Sequence, residues 1–223
     1  NERYLAEARA IDVEKLSPAD RISHEIFVHE RERIRAGERF PDHLLPVSQT
    51  GGLITLMPAL GSGTNAQPFA TTRDYENWLQ RLDGLVTWLD QAIVNMREGV
   101  AKGVVQPRPV MEKVLLQLEA MLVARAGDST FYAPVRMFPE AVSPADRERL
   151  TKAYTRAIED DVVPAYRRLR DFVRDEYLPK TRATVAWSAL PDGEAWYAHY
   201  VQEHTTTDMT AEEIHQLGLS EVA

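Results

Sequence analysis

Two histidines beside a glutamate are the first residues in this sequence whose types could do metal chemistry. They lie in the run His24-Glu25-Ile26-Phe27-Val28-His29. A zinc peptidase helix carries two histidine ligands four residues apart, so that both face one ion. His24 and His29 are five apart, which turns their side chains about 140° away from each other on a helix. We therefore interpret them as surface histidines of an amphipathic helix and assign no metal to them.

A second group of candidates is the polar run Glu203-His204-Thr205-Thr206-Thr207-Asp208, which separates two predicted helices. Polar residues in loops are good candidates for binding, but Thr and Asp ahead of a helix also serve as caps. Both interpretations stay open for this run. His199 and His215 lie on the flanking helices, and no third ligand close in sequence completes a metal site there.

The motifs of nucleophilic and phosphate chemistry are not matched. Gly61-Ser62-Gly63 lacks the G-x-S-x-G spacing of a nucleophile elbow. Gln49-Thr50-Gly51-Gly52 is not followed by the Lys-Ser/Thr pair of a phosphate-binding loop. The chain has no cysteine, which excludes disulfides, thiolate metal sites and a cysteine nucleophile.

Charge and hydropathy narrow the classes of partner. The formal net charge of −8 disfavours nucleic acid, because a phosphate-binding surface needs clustered Lys and Arg. The triplet Arg167, Arg168 and Arg170 is surrounded by aspartates, which is typical of a solvated helix face. No run of about 18 apolar residues is present, so no membrane span is predicted.

Capping residues and hydrophobic periodicity predict an all-α fold. Ser17-Pro18 opens a helix that should carry Ile22, Ile26 and Phe27 inward and end near Gly37. Further helices are predicted from Ser143, from Thr71 or Thr72, from about Pro109 to Gly127, over about 192–204, and after Thr210.

Two of these helices have the clearest apolar faces. In the helix from Ser143, proline at position 164 should introduce a kink. The predicted core positions, at three- and four-residue steps, are Leu150, Tyr154, Ile158, Val162 and Tyr166 in this helix, and Tyr75, Trp78, Leu79, Leu82, Val86, Leu89, Ile93 and Met96 in the helix from Thr71.

The segment of about 38–70 is the exception to the helical pattern. It is rich in Pro and Gly, and Leu53-Ile54-Thr55-Leu56-Met57 is its only run with strand character. A loop of this length inside a domain is usually functional or disordered, and its apolar content argues against disorder. We predict an irregular apolar loop that packs over the helices and lines a cleft.

The termini suggest a larger parent. The chain begins at Asn1, and its last helix, in which Ile214, Leu217 and Leu219 begin an apolar face, is too short to persist without tertiary packing. We expect residues 1–223 to be either a single helical domain or the N-terminal part of a larger helical domain.

Several runs resemble the bacterial family known as domain of unknown function 885. Each run alone is a soft motif, but together they are spread over nearly the whole chain. They are Phe40-Pro41-Asp42-His43-Leu44-Leu45-Pro46 with Gln49-Thr50-Gly51-Gly52, Pro68-Phe69 with 74–82, Met96-Arg97-Glu98-Gly99, Ala101-Lys102-Gly103-Val104-Val105, Met111-Glu112-Lys113-Val114, Ala189-Leu190-Pro191-Asp192-Gly193, Trp196-Tyr197, Thr205-Thr206-Thr207, and Thr210-Ala211-Glu212-Glu213-Ile214-His215 with Gly218.

This resemblance implies a helical protein similar to zinc metallopeptidases of the H-E-x-x-H type, in which the motif glutamate activates the attacking water. That motif belongs to the C-terminal part of the family and matches no position here. The resemblance therefore implies zinc in the full-length parent, no cofactor and no catalytic residue in this chain, and an exported or periplasmic parent.

Two hypotheses follow. In the first, the chain is the N-terminal, cleft-forming part of a zinc-dependent peptidase-like hydrolase, inactive alone, with the C-terminal remainder of its own protein and a peptide substrate as partners. In the second, it is a non-catalytic binding or scaffold module. A third hypothesis, a stand-alone helical bundle, is disfavoured. The substrate-binding residues predicted under the first hypothesis are Gln49, Gly51, Gly52, His204 and Thr206.

Overall fold

Serine and threonine caps begin the main helices where the sequence predicts them. The computed structural model describes residues 1–222. The hydroxyl of Ser17 accepts the backbone N–H of Asp20, and Thr71 forms a complete capping box with Asp74. The helices are α1 Glu2–Arg9, α2 Pro18–Gly37, α3 Leu53–Gly61, α4 Thr72–Lys102, α5 Arg108–Ala120, α6 Ala133–Arg136, α7 Pro144–Arg156, α8 Val163–Phe172, α9 Gly193–Thr205 and α10 Ala211–Val222.

The all-α class is confirmed: within residues 1–222 the regular elements are helices, and an isolated bridge between Pro107 and Arg182 is the only β pairing. None of the described helices is both long enough and apolar enough to cross a membrane. The chain divides into two compact units. We call Asp42–Val185 the central unit, and Asn1–Pro41 together with Ala186–Ala223 the discontinuous unit.

The core of the central unit follows the predicted apolar stripes. Leu89 and Met96 on α4 and Leu150 and Tyr154 on α7 are fully buried. Helix α4 packs against α7 and α8, so its stripe meets apolar residues from both neighbours. Leu79 and Val86 are partly buried at the edge of this core. The periodicity of 3.6 residues therefore identified the main hydrophobic contacts of this unit.

Proline 164 is accommodated by a local change of helix type. The turn Ala157–Val162, immediately before α8, has π-helical hydrogen bonding. Proline lacks an N–H and crowds the preceding turn, and a wider turn removes this conflict without ending the helix. A second π turn, Val173–Tyr177, likewise precedes Pro179.

The prediction of an irregular loop over 38–70 is wrong for its middle part. Residues Leu53–Gly61 form helix α3, and the run with strand character lies inside it. Apolar residues occupy most of its positions, so periodicity could not separate a short buried strand from a buried helix. Gly52 at its N-cap has φ +89°, a conformation that favours glycine. The flanking stretches remain irregular apart from a short 3₁₀ turn at Asp42–Leu44.

Two further sequence predictions need correction. Helix α5 ends at Ala120 rather than near Gly127. On α2, Ile22, Ile26 and Phe27 were expected to face inward, but they are 59%, 58% and 42% exposed. The apolar face exists, but it is covered only in part: Phe27 lines a pocket with Tyr4 and Ile11, whereas Ile22 and Ile26 stay more than half exposed.

The discontinuous unit is built around Trp196 of α9. Trp196 is fully buried, stacks on Phe40 with ring centroids 5.6 Å apart, and meets the edge of Trp187 at 5.2 Å. Helix α1 packs on α2, where His24 Nε2 donates to the carbonyl of Ala8 at 2.8 Å. Polar side chains of this unit also line an open cleft.

Candidate functional site

A polar cleft lies where α2 and α9 meet in the discontinuous unit. We call it the α2–α9 cleft, and its volume is about 310 Å³. It is lined by His29, Glu32, Arg33 and Ala36 from α2, and by His199, Gln202, Glu203, Thr206 and Asp208 from α9 and the segment after it.

Close approach of the two helices positions these groups. A methyl group at Gly37 would lie 2.8 Å from His199 Nε2, so the absence of a side chain at Gly37 makes room for the imidazole. Arg33 Nη1 donates to the carbonyl of Glu203 at 2.5 Å, and Arg33 Nη2 donates to Glu30 at 3.0 Å. Because His29, Arg33 and Gly37 follow one another at four-residue steps, they share one face of α2.

A second cavity, of about 390 Å³, lies against α9 and the chain that leads into α10. We call it the apolar α9 cavity, because Tyr197, Ala198, Val201 and Met209 form much of its wall. Gln202 and Asp208 line both cavities, and Gln202 Nε2 donates to Asp208 Oδ1 at 3.3 Å. The two cavities therefore adjoin each other at this pair.

The helix that follows is held by a charged cap. Glu213 accepts the backbone N–H of Thr210 at 2.7 Å and its hydroxyl at 2.8 Å. These hydrogen bonds, the backbone one first, lower the pKa of the Glu213 carboxyl below its ordinary value. Thr210 thus caps α10, which begins after Thr210 as the sequence predicts.

Thr206 and His204 take different positions. Thr206 lines the α2–α9 cleft and has φ +57°, which is uncommon for a β-branched residue. His204 is exposed, and its Nδ1 donates to the carbonyl of Tyr200 at 2.8 Å. It lies one turn beyond Tyr200 and does not line the cleft.

The other three predicted residues belong to the central unit. The carbonyl of Gln49 accepts from Gln117 at 2.9 Å, and the carbonyl of Gly52 accepts the first hydrogen bonds of α3. The side-chain Oε1 of Gln49 is buried and has no hydrogen-bond partner among the described residues. Since Gln49, Gly51 and Gly52 lie in one unit and His204 and Thr206 in the other, their shared cleft stays a prediction.

Metal ligation is not supported by the side chains that the structure brings together. Across residues 1–222, no group of three His, Asp or Glu side chains could hold a metal ion. His24 is bound to α1, whereas His29 lines the α2–α9 cleft. The described residues do not fit the zinc site that the resemblance implies for the parent.

Sequence reasoning missed Arg33, Gln202 and the roles of His29 and His199. Arg33 contacts a residue 170 positions away, a pairing that no local pattern reveals. Asp208 was included only as part of the polar run. One signal was available: His29 and Arg33 are polar residues on a helix face that also carries Ile22 and Ile26.

Comparison with known proteins fixes the family. The profile of the family described as "Bacterial protein of unknown function (DUF885)" matches residues 1–223. The chain belongs to this family. Among curated proteins, the DUF885 chain has no match.

One similar solved structure is that of a protein described as a putative lipoprotein from Colwellia psychrerythraea, with a TM-score of 0.71 and 18% sequence identity. The match covers 79% of the DUF885 chain but only 30% of the other chain. At this identity the likeness establishes the fold alone. The DUF885 chain spans less than a third of the length of that protein.

Proposed function

We propose that the chain is the N-terminal, cleft-forming helical part of a zinc-dependent peptidase-like hydrolase, and that it binds substrate without holding the metal. The α2–α9 cleft carries this proposal, because it gathers histidine, arginine, carboxylate and hydroxyl groups without gathering three metal ligands. Ligand sites commonly combine a concave surface with a few polar groups that fix orientation.

In this proposal the zinc and the H-E-x-x-H helix belong to the remainder of the parent protein. Zinc would polarise the scissile carbonyl and lower the pKa of a bound water. The chain described here orients the substrate. Thr206 and His204 would contact it from the discontinuous unit. Gln49, Gly51 and Gly52 would contact it from the central unit.

The proposed partner is the C-terminal remainder of the same protein. Ile22 and Ile26 share a face of α2 with His29 and Arg33, and both isoleucines are more than half exposed. Leu217 and Leu219 on α10 are also about half exposed. Exposed apolar residues on a helix face are available for contact with such a partner. An exported parent is part of the proposal and agrees with the description of the similar structure as a putative lipoprotein.

Thr206→Gly in the complete protein is the sharpest test of the cleft. Glycine relieves the cost of a positive φ, so stability should be unchanged or rise by up to about 1 kcal/mol. The substitution also removes a hydroxyl from the cleft. If that hydroxyl binds substrate, KM for peptides should rise roughly threefold to tenfold, because a neutral hydrogen bond contributes about 0.5–1.5 kcal/mol.

Asp192→Gly is the matched control. Asp192 has φ +53°, makes no side-chain cap bond to α9 and lines neither cavity. It should change stability slightly and leave KM unchanged. An unchanged KM in Thr206→Gly would remove Thr206 from the site. For His204→Ala, unchanged kinetics together with unchanged stability would remove His204 as well.

A non-catalytic binding or scaffold module is the second candidate. The α2–α9 cleft and the exposed Ile22 and Ile26 of α2 suit a binding surface without catalysis as well as they suit a substrate cleft. The two candidates differ in the parent, since only the first requires peptide hydrolysis by the complete protein.

A further inference from the structure

The two cavities beside α9 form one site with two chemically different halves. The α2–α9 cleft is polar, and the apolar α9 cavity has a wall of Tyr197, Val201 and Met209. Gln202 and Asp208 line both halves. A ligand that fills both must therefore carry an apolar group and a polar group close together.

The size of the halves limits that ligand. Their volumes of about 310 and 390 Å³ lie at the lower end of the roughly 300–1,000 Å³ seen for small-molecule sites. Each half is large enough for at least one amino-acid side chain. The apolar half suits one aliphatic or aromatic side chain, whose burial is favourable in proportion to the apolar area removed from water.

Carboxylates outnumber arginines in the polar half, with Glu32, Glu203 and Asp208 against Arg33. Glu32 is paired with Arg9 at 2.6 Å, and Glu203 lies 3.8 Å from Arg33. Asp208 differs from these two, because among residues 1–222 its carboxylate has only the Gln202 amide as a polar partner and no basic side chain within 4.0 Å. It lies at the junction of the two halves, next to the apolar wall. An ammonium group placed there would complement it.

We infer that this site binds the N-terminal residue of a peptide, with the α-ammonium group on Asp208 and an apolar side chain in the apolar α9 cavity. The inference rests on the proposed function and adds which end of the substrate the chain recognises. An N-terminal residue is the part of a peptide that carries an ammonium group two bonds from an apolar side chain. A blocked amine would lose the charge interaction and keep the apolar one.

Binding of three probes to the full chain, followed by chemical shifts in NMR, tests this inference. Leucinamide has both features, N-acetyl-leucinamide lacks the cation, and glycinamide lacks the apolar side chain. Leucinamide should bind most tightly. Because Asp208 is exposed, water and salt weaken its interaction with an ammonium group. The site should therefore bind leucinamide roughly threefold to fivefold more tightly than the acetylated probe, and this difference in affinity should shrink as salt is added.

Asp208→Asn should abolish the discrimination between leucinamide and N-acetyl-leucinamide. Asp83→Asn is the matched control, with the same change of charge at an exposed position on α4 in the central unit, and it should retain the discrimination. Equal binding of the two probes by the unmodified chain would overturn the inference. So would discrimination that survives Asp208→Asn, glycinamide binding as tight as that of leucinamide, or no saturable binding.

Activity of the complete protein separates this inference from the function on which it rests. Hydrolysis of free and N-acetylated peptides with equal kcat/KM would overturn the inference and leave the peptidase proposal standing. Selective binding of leucinamide without any hydrolysis would contradict the peptidase proposal and support the recognition site.

Discussion

Trp196→Ala is expected to destabilise the discontinuous unit by about 3 kcal/mol, near the lower end of the usual cost of emptying a buried aromatic position. Trp196 is fully buried between Phe40, which stacks on it at an interplanar angle of 4°, and Trp187, which meets it edge-on. The buried indole N–H has no hydrogen-bond partner among residues 1–222. Its removal relieves the unfavourable burial of a polar group, which offsets part of the stability lost with the ring. Hydrogen exchange measured by mass spectrometry should show lost protection in peptides from 1–41 and 186–222.

The adjacent residue provides the control for this variant. Tyr197 lies on the same helix and is 49% exposed, so Tyr197→Ala should change stability by no more than about 0.5 kcal/mol. Equal protection in Trp196→Ala and the unmodified chain would contradict the packing described for this unit. Equal loss in both variants would show that the burial of Trp196 does not decide the stability of this unit.

Alanine substitution at two glycines of α4 should change stability in opposite directions. A methyl group at Gly99 would lie 2.6 Å from the carbonyl oxygen of Val104 and 3.1 Å from that of Leu44. These are backbone atoms, which cannot rotate away, so Gly99→Ala should destabilise the chain by about 2–3 kcal/mol. Gly84 has no atom within 4 Å of the added methyl group, so Gly84→Ala should stabilise it by about 0.5–1 kcal/mol.

Urea unfolding of both variants measures this difference as a shift in the midpoint at constant slope. If helix propensity alone decided stability, both substitutions would stabilise the chain, because alanine favours a helix more than glycine does. Stabilisation by Gly99→Ala would therefore contradict the close approach of α4 to the segments that contain Leu44 and Val104.

The sequence allowed the helices with regular apolar spacing to be predicted, because that spacing needs no knowledge of the partner. The stripe of α4 and the positions Leu150 and Tyr154 on α7 are buried as periodicity requires. Helix α3 was not predicted, because a run that is apolar at most positions shows no hydrophobic periodicity. The short α1 was not predicted at all.

The error on α2 has a different cause. Periodicity identifies which face of a helix is apolar, but it cannot tell whether a partner covers that face. Ile22 and Ile26 form such a face and remain exposed.

The candidate site was less predictable than the fold. Thr206 was selected from a polar run, and the structure places it at the α2–α9 cleft. Arg33 and Glu203, by contrast, meet only because α2 and α9 approach each other across most of the chain length. The closeness of His29 and His199 to one cleft depends on the same approach, so no local spacing could have indicated it.

The central claim is that this chain forms a binding part of a zinc enzyme whose metal lies outside it. The most direct measurement is the zinc content per chain of the complete gene product and of residues 1–223, purified in parallel and analysed by mass spectrometry. We expect near-stoichiometric zinc in the complete protein and none in residues 1–223. Zinc bound by residues 1–223 would mean that the histidines here do hold a metal, and zinc in neither sample would contradict the peptidase proposal and favour the binding module.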